Sequence, residues 1–265
     1  MIAKAWACLR KDVRIDLSYR LVFAFDAIDG VLMLIVYGVL AGLFEDRALD
    51  GYTPLGFLLV GVAANGALMT ALICFSQVVR GVQAVGVIKA VMATPTSPLV
   101  TVVLSSLYPM LRAALDLVVW MGVAFLLGAP LAGVTPGSLM ATALVFGGAA
   151  LAMAGFGFVA AAFAVVFKRG DPIIWAFASA NMLLAGVLYP TSSLPPVLAR
   201  LSPWFPSTHA LNGLRATMLD GAGVDAVWPS LMMLGGWALV GVPLGLWVLA
   251  RAIRYAREEG TLGHV

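Results

Sequence analysis

Runs of about twenty apolar residues recur along this chain, at 21–44, 53–75, 99–127, 137–167, 172–189 and 227–250. As a helix rising ~1.5 Å per residue, such a run crosses a hydrocarbon core of roughly 30 Å. A transmembrane barrel would instead need segments of about ten residues that alternate in polarity. The chain is 62% hydrophobic and 11% charged, against about 45–50% and about 25% in soluble domains. The runs are therefore not the cores of soluble domains. The expected fold is an all-α membrane protein forming a single transmembrane domain over 1–265. It has six transmembrane helices, an amphipathic helix at the N-terminal interface, and a re-entrant helical pair between helices 5 and 6.

Residues 2–20 carry Ile2, Trp6, Leu9, Val13 and Leu17 at spacings of three and four, with Lys4, Lys11, Arg14 and Ser18 largely elsewhere. That pattern suits a helix lying on the membrane surface. Its polar stretch is too long for a secretory signal, and no small-residue cleavage site follows the first apolar run. Cys8 and Cys74 are too few for a disulfide framework or a metal site.

Cations set the expected topology. With the N-terminus inside, twelve of the sixteen lysines and arginines fall in cytoplasmic segments. Only Arg47, Arg200 and Arg215 lie outside, and Arg112 lies within a span. This asymmetry fits the positive-inside rule with both termini cytoplasmic. The run at 99–127 is longer than the bilayer needs, so it projects, tilts or kinks at Pro109. Arg112 and Asp116 within it stand four apart, on one helical face. As a neutralised intramembrane pair they are expected to brace the bundle interior or to contact substrate or a moving neighbour. Asp26 and Asp29 lie near the start of the first run. Gly38 and Gly42, and again Gly241 and Gly245, form small pairs that permit close helix approach. The 137–167 run is dense in glycine and alanine and is expected to be a packed, central helix. The polar connector 76–98 is expected to hold a short surface helix, since Val82, Val85, Ile88, Val91 and Met92 recur at helical spacing.

The segment 186–219 reads GVLYPTSSLPPVLARLSPWFPSTHALNGLRATML. Pro190, Pro195, Pro196, Pro203 and Pro206 break it into pieces. Ser193 is expected to cap a helix of about seven residues beginning at Pro195, which Pro203 and Pro206 stop. Ser207 or Thr208 is expected to cap a second helix over 208–219. Neither is long enough to span, so the pair can only dip into the bilayer against protein or a cavity.

Catalytic signatures are missing from the sequence: there is no G-x-x-x-x-G-K-[ST], H-E-x-x-H, C-x-x-C or G-x-S-x-G. The two histidines are His209 and His264. His209, Arg215 and Asp220 are the only near-neighbours that resemble a polar site, and His209 and Arg215 do not share a helical face. His209 and Asn212 are expected to bond backbone freed by the prolines. No catalytic, cofactor-binding or metal-binding residue is expected.

Tyr189-Pro190, then Leu194-Pro195, then Leu201-Ser202-Pro203-x-x-Pro206-x-Thr208-His209-Ala210-Leu211 and Leu214-Arg215 resemble the late signature of type-2 ABC exporter permeases. Ala93-Thr94-Pro95-Thr96-Ser97-Pro98 resembles the end of that family's first cytoplasmic loop. The resemblance covers nearly the whole chain and extends to polysaccharide, nodulation-factor and drug exporter permeases. One departure is Gly81-Val82-Gln83, which stands where many relatives carry an acidic residue and a Gly-Thr pair. No carboxylate lies between 76 and 98.

The resemblance implies an inner-membrane permease that pairs with a second copy, as a homodimer, and docks two separate ABC ATPase subunits. ATP and Mg would be bound by those partners. Arg10, Lys11, Arg14, Arg80, Gln83 and Lys89 are the implied docking residues. Tyr189, Pro190, Leu194, Pro195, Pro206, Thr208, His209 and Arg215 are candidates for a gate at the outer mouth. The substrate implied is amphiphilic, lipid-linked or a glycan. Trp120, Trp175, Tyr189, Trp204 and Phe205 either line a glycan path or form an ordinary interfacial belt. The alternative function is a non-transporting membrane scaffold or assembly factor with the same fold. A passive channel lacks rings of charge or an evident filter.

Overall fold

The computed structural model describes residues 6, 9–14, 20–44, 48–84, 98–126, 135–167 and 172–258. These form helices α1 (Arg20–Gly42), α2 (Pro54–Ala84), α3 (Pro98–Ser105), α4 (Leu107–Leu126), α5 (Pro136–Phe167), α6 (Pro172–Leu184), α7 (Pro196–Leu201), α8 (Pro206–Leu219) and α9 (Val224–Glu258). Short 3-10 turns occupy Thr191–Ser193 and Ser202–Trp204. Residues 9–14 are also helical, and Trp6 is exposed.

Among the described residues, four stretches are long and apolar enough to cross a membrane: Pro54–Gly81, Leu99–Leu126, Pro136–Phe167 and Val224–Ala256. Gly30–Gly42 and Pro172–Leu184 are shorter apolar helices. The protein is thus a helical, multi-pass membrane protein.

Helix starts follow local chemistry. Thr53 Oγ1 accepts the Gly56 N–H at 3.3 Å, with Pro54 at the first helical position of α2. At α5, Thr135 Oγ1 accepts the Ser138 N–H and Ser138 Oγ accepts the Thr135 N–H, each at 3.1 Å. This reciprocal cap satisfies donors that the helix itself cannot. Before α2 the chain turns sharply at Asp50 (φ 51°) and Gly51 (φ 88°), and Leu49 and Tyr52 exchange both backbone hydrogen bonds. Asp-Gly suits a turn with two positive φ angles.

The centre is α5, whose small residues do what their composition predicts. Ala149, Ala152, Ala160 and Ala161 are fully buried. One face meets α2: a methyl added at Gly157 would lie 2.6 Å from the Leu72 carbonyl oxygen. The other meets α9: a methyl at Gly155 would lie 2.7 Å from the Gly241 carbonyl carbon, and one at Gly245 would lie 2.5 Å from the Gly155 carbonyl oxygen. Backbone therefore touches backbone on both sides, as lipid-embedded helices allow when side chains are small. The α5–α9 pairing is the most extensive in the fold, followed by α2–α5. Gly38 and Gly42, by contrast, have open space where a methyl would go.

Several expectations change. The second helix runs to Ala84, nine residues past 75, because nothing in 76–84 forces a break. Of the connector expected over 76–98, 76–84 continue α2; 85–97, with Lys89 and most of the expected surface helix, lie outside the described residues. The third run breaks at Ser106, not at Pro109. Proline lacks an N–H and its ring crowds the carbonyl four residues earlier, so the disruption falls upstream. Ser106 Oγ donates to the Val102 carbonyl at 2.9 Å there. The fifth helix stops at Leu184, because Gly186 takes φ 73° and Tyr189 precedes a proline. The caps also differ. Pro196 opens α7 after Pro195, and Pro206 opens α8 after Phe205, neither with a side-chain cap. Ser193 Oγ donates to the Pro190 carbonyl at 2.6 Å instead. Pro206 starts a helix rather than stopping one, since its missing N–H falls where the helix has no acceptor for it.

Candidate functional site

One side chain ties the second helix of the α7–α8 hairpin to the rest of the fold. Arg215 sits on α8, 3% exposed. Its Nη2 donates to the carbonyls of Gly186 at 2.9 Å, Val187 at 3.1 Å and Phe57 at 3.2 Å, and Nε donates to Phe57 O at 3.3 Å. The guanidinium lies over the Phe57 ring, with Cζ 3.4 Å from its centroid. One cation thus ties α8 to the first turns of α2 and to the irregular segment after α6. Its charge is met by carbonyl dipoles and an aromatic face. Gly61 makes room: a methyl there would fall on Arg215 Nη2 and lie 2.5 Å from Val187 O.

Thr208, also buried, donates to Ser202 O at 2.8 Å and stitches the α7–α8 corner. His209 Nε2 is 2.8 Å from Pro203 O, on backbone where the prolines interrupt the helix. Asp220 ends α8 and accepts the Tyr52 hydroxyl at 2.8 Å. His209, Arg215 and Asp220 therefore face three different partners and do not assemble into one polar site. Pro190, Leu194 and Pro195 shape the turn before α7, and Pro206 begins α8.

Tyr52 lies in the turn before α2, outside the spans. Burial pushes its phenol up to about 12, helped by the hydrogen bond to Asp220 and by the charges of Asp220 and Asp50. The folded value exceeds the unfolded one. The contact's contribution to stability is therefore present below pH 10 and lost as pH rises through about 12. Tyr52→Phe should lower the thermal midpoint at pH 8, and the gap from the unaltered protein should close between pH 10 and 12. A gap that persists at pH 12 would show that the contact does not titrate.

Beside the hairpin, α2 and α6 border an open groove of about 610 Å³, lined by Asn65, Met69, Trp175, Met182, Leu188 and Tyr189 among others. Behind Asn65 stands Asn181, 1% exposed, whose Nδ2 donates to Asn65 Oδ1 at 2.5 Å. Among the described residues, the Asn181 Oδ1 has no hydrogen-bond partner. Tyr189 donates its hydroxyl to Leu183 O at 2.6 Å, which fixes the ring at the groove's edge. Neither asparagine stood out in the sequence. An amide inside an apolar run was the available signal, since such groups are expensive in lipid unless paired. Trp175 and Tyr189 line this groove, whereas Trp120 packs near Gly30 and Trp204 is exposed. The Phe205 ring packs with Phe177 at 5.8 Å.

Arg112 Nε and Asp116 Oδ2 approach to 3.7 Å on α4, with side chains 27% and 56% exposed. The pair forms, but it lies on a face turned away from the chain's own core, not inside the bundle. The reason is that α4 packs on α2 through Ala113, Leu117, Met121 and Ala124, which occupy the opposite side of the helix. Arg10, Lys11 and Arg14 are exposed, and Lys11 pairs with Asp12 at 3.0 Å. Arg80 and Gln83 belong to the last turns of α2.

A helical, multi-pass membrane domain agrees with the family comparison. The family model for the ABC-2 type transporter matches residues 3–219, and the chain belongs to that family. It is therefore the transmembrane, non-catalytic component of an ABC transporter, a permease of a family that in general works with an ABC ATPase. No curated protein matches the chain.

Proposed function

We propose that this permease exports an amphiphilic, lipid-linked or glycan substrate from the cytoplasm, powered by ATP hydrolysis in its partner. The observation that carries this reading is the α2–α6 groove. It sets the Asn65 amide among apolar and aromatic side chains, beside the hairpin. Such a lining can hold a hydroxyl- or amide-bearing head and an apolar body at once.

In this reading two permease copies, as a homodimer, meet two ATPase subunits at the inner membrane, with both termini cytoplasmic. Arg10, Lys11, Arg14, Arg80, Gln83 and Lys89 face the ATPase, which binds ATP and Mg. The permease does no chemistry. It biases two conformations by contacting substrate differently in each. The hairpin from Tyr189 to Arg215 forms the outer gate, and Arg215 keeps its closed position.

The test is co-purification with an ATPase, followed by hydrolysis assays in proteoliposomes with candidate amphiphiles. Stimulation by substrate is expected. Asn65→Leu should weaken the apparent affinity for a hydroxyl-rich substrate by roughly fivefold, the worth of one hydrogen bond of about 1 kcal/mol. A chain that binds no ATPase would sink the transporter reading, and unchanged affinity in the Asn65 variant would remove the groove from the path.

A further inference from the structure

α5 and α9 leave a second groove, of about 570 Å³, at the end where α5 finishes and α9 continues. It is lined by Val166, Trp247, Arg251, Arg254, Tyr255 and Glu258, among others. Its level in the bilayer can be read from α9 itself. Trp228 and Trp247 are both more than half exposed, at 58% and 57%. They lie nineteen residues apart, or about 28 Å of helix. That is close to the hydrocarbon thickness, and exposed tryptophans favour its two boundaries.

Trp247 therefore marks one boundary. Arg251 stands about 6 Å beyond it and Arg254 about 10 Å beyond it, at the depth of lipid phosphates. The Arg251 guanidinium lies 6.0 Å from the Trp247 ring centroid. The groove's charged lining is two arginines against the single carboxylate of Glu258. Towards the bilayer centre, α9 shows exposed Leu244 and Val240, an apolar track continuous with Trp247.

We propose that this groove binds an anionic glycerophospholipid. Its phosphodiester sits between Arg251 and Arg254, its glycerol lies against Trp247, and its acyl chains run along Val240 and Leu244. Basic pockets between helices at a membrane surface favour anionic headgroups, and each cation adds to the attraction. A planar guanidinium grips phosphate through paired donors. The site is separate from the hairpin and its groove, and it does not depend on the transported substrate.

The experiment uses the purified full chain in phosphatidylcholine vesicles that contain increasing fractions of phosphatidylglycerol with brominated chains. Bromine quenches tryptophan on contact, and Trp247→Phe identifies the signal of that residue. Quenching of Trp247 is expected at roughly one tenth of the mole fraction needed with brominated phosphatidylcholine. R251Q/R254Q should abolish the preference while the protein elutes and melts as before, and R251K/R254K should retain most of it. Soluble glycerol phosphate should not reverse the quenching. Equal quenching by both lipids overturns the proposal, as does a preference that survives R251Q/R254Q. Reversal by glycerol phosphate would make the site one for a free anion, and shielding from both lipids would mean that protein closes the groove; either result also overturns it.

Discussion

Arg215→Met should yield little folded protein, and what survives should melt well below the unaltered chain. The substitution keeps much of the apolar bulk but strands the carbonyls of Gly186 and Val187, while the Phe57 carbonyl falls back on its helical donor alone. A buried acceptor left without a donor costs about 1–3 kcal/mol, so two together remove a large part of the roughly 5–15 kcal/mol of an ordinary domain. Arg215→Lys should be intermediate, because an ammonium cannot reach several carbonyls with a planar fork. Gly61→Val attacks the same joint from the other side, since its side chain would occupy the place of Arg215 Nη2. Folded yield by size exclusion in detergent, with thermal midpoints, tests all three. A normal midpoint for both Arg215→Met and Gly61→Val would show that the joint is dispensable.

Gly155→Leu should be equally damaging for a different reason. Even a methyl there meets Gly241 backbone at 2.7 Å, so a larger side chain must force α5 and α9 apart along their length. Overpacking in a tight core costs about 1–3 kcal/mol when neighbours can move, and more when they are backbone. Gly38→Leu is the matched control, since a methyl at Gly38 meets nothing within 4 Å. Its melting should be almost unchanged. Equal melting of the two variants would mean that the α5–α9 contact carries little of the stability.

These variants also show where the chain was readable. Glycine and alanine density marked α5 as central because close packing in lipid depends on side-chain size alone. Prolines marked the α7–α8 hairpin because their geometry is local. What could not be read was longer in range. Nothing local says that Arg215 is met by backbone 158 residues earlier, or that Asn65 and Asn181 meet across 116 residues. The pattern at Arg112 and Asp116 correctly put both on one face, yet periodicity has no sign and could not say whether that face looks inward or outward. The end of α6 turned on a single positive φ at Gly186, in a stretch whose hydropathy continues unbroken to Tyr189.

The order of Arg215's partners along the chain has a consequence for biogenesis. Phe57, Gly61, Gly186 and Val187 all precede it. When the ribosome delivers α8, every residue of its receptor has already been synthesised. A guanidinium exposed to lipid would be costly, and in this order no partner of the charge remains to be made after it. A circular permutation placing 186–219 ahead of α2 would reverse that order. The same contacts would exist in the final fold, but the arginine would have to wait for them.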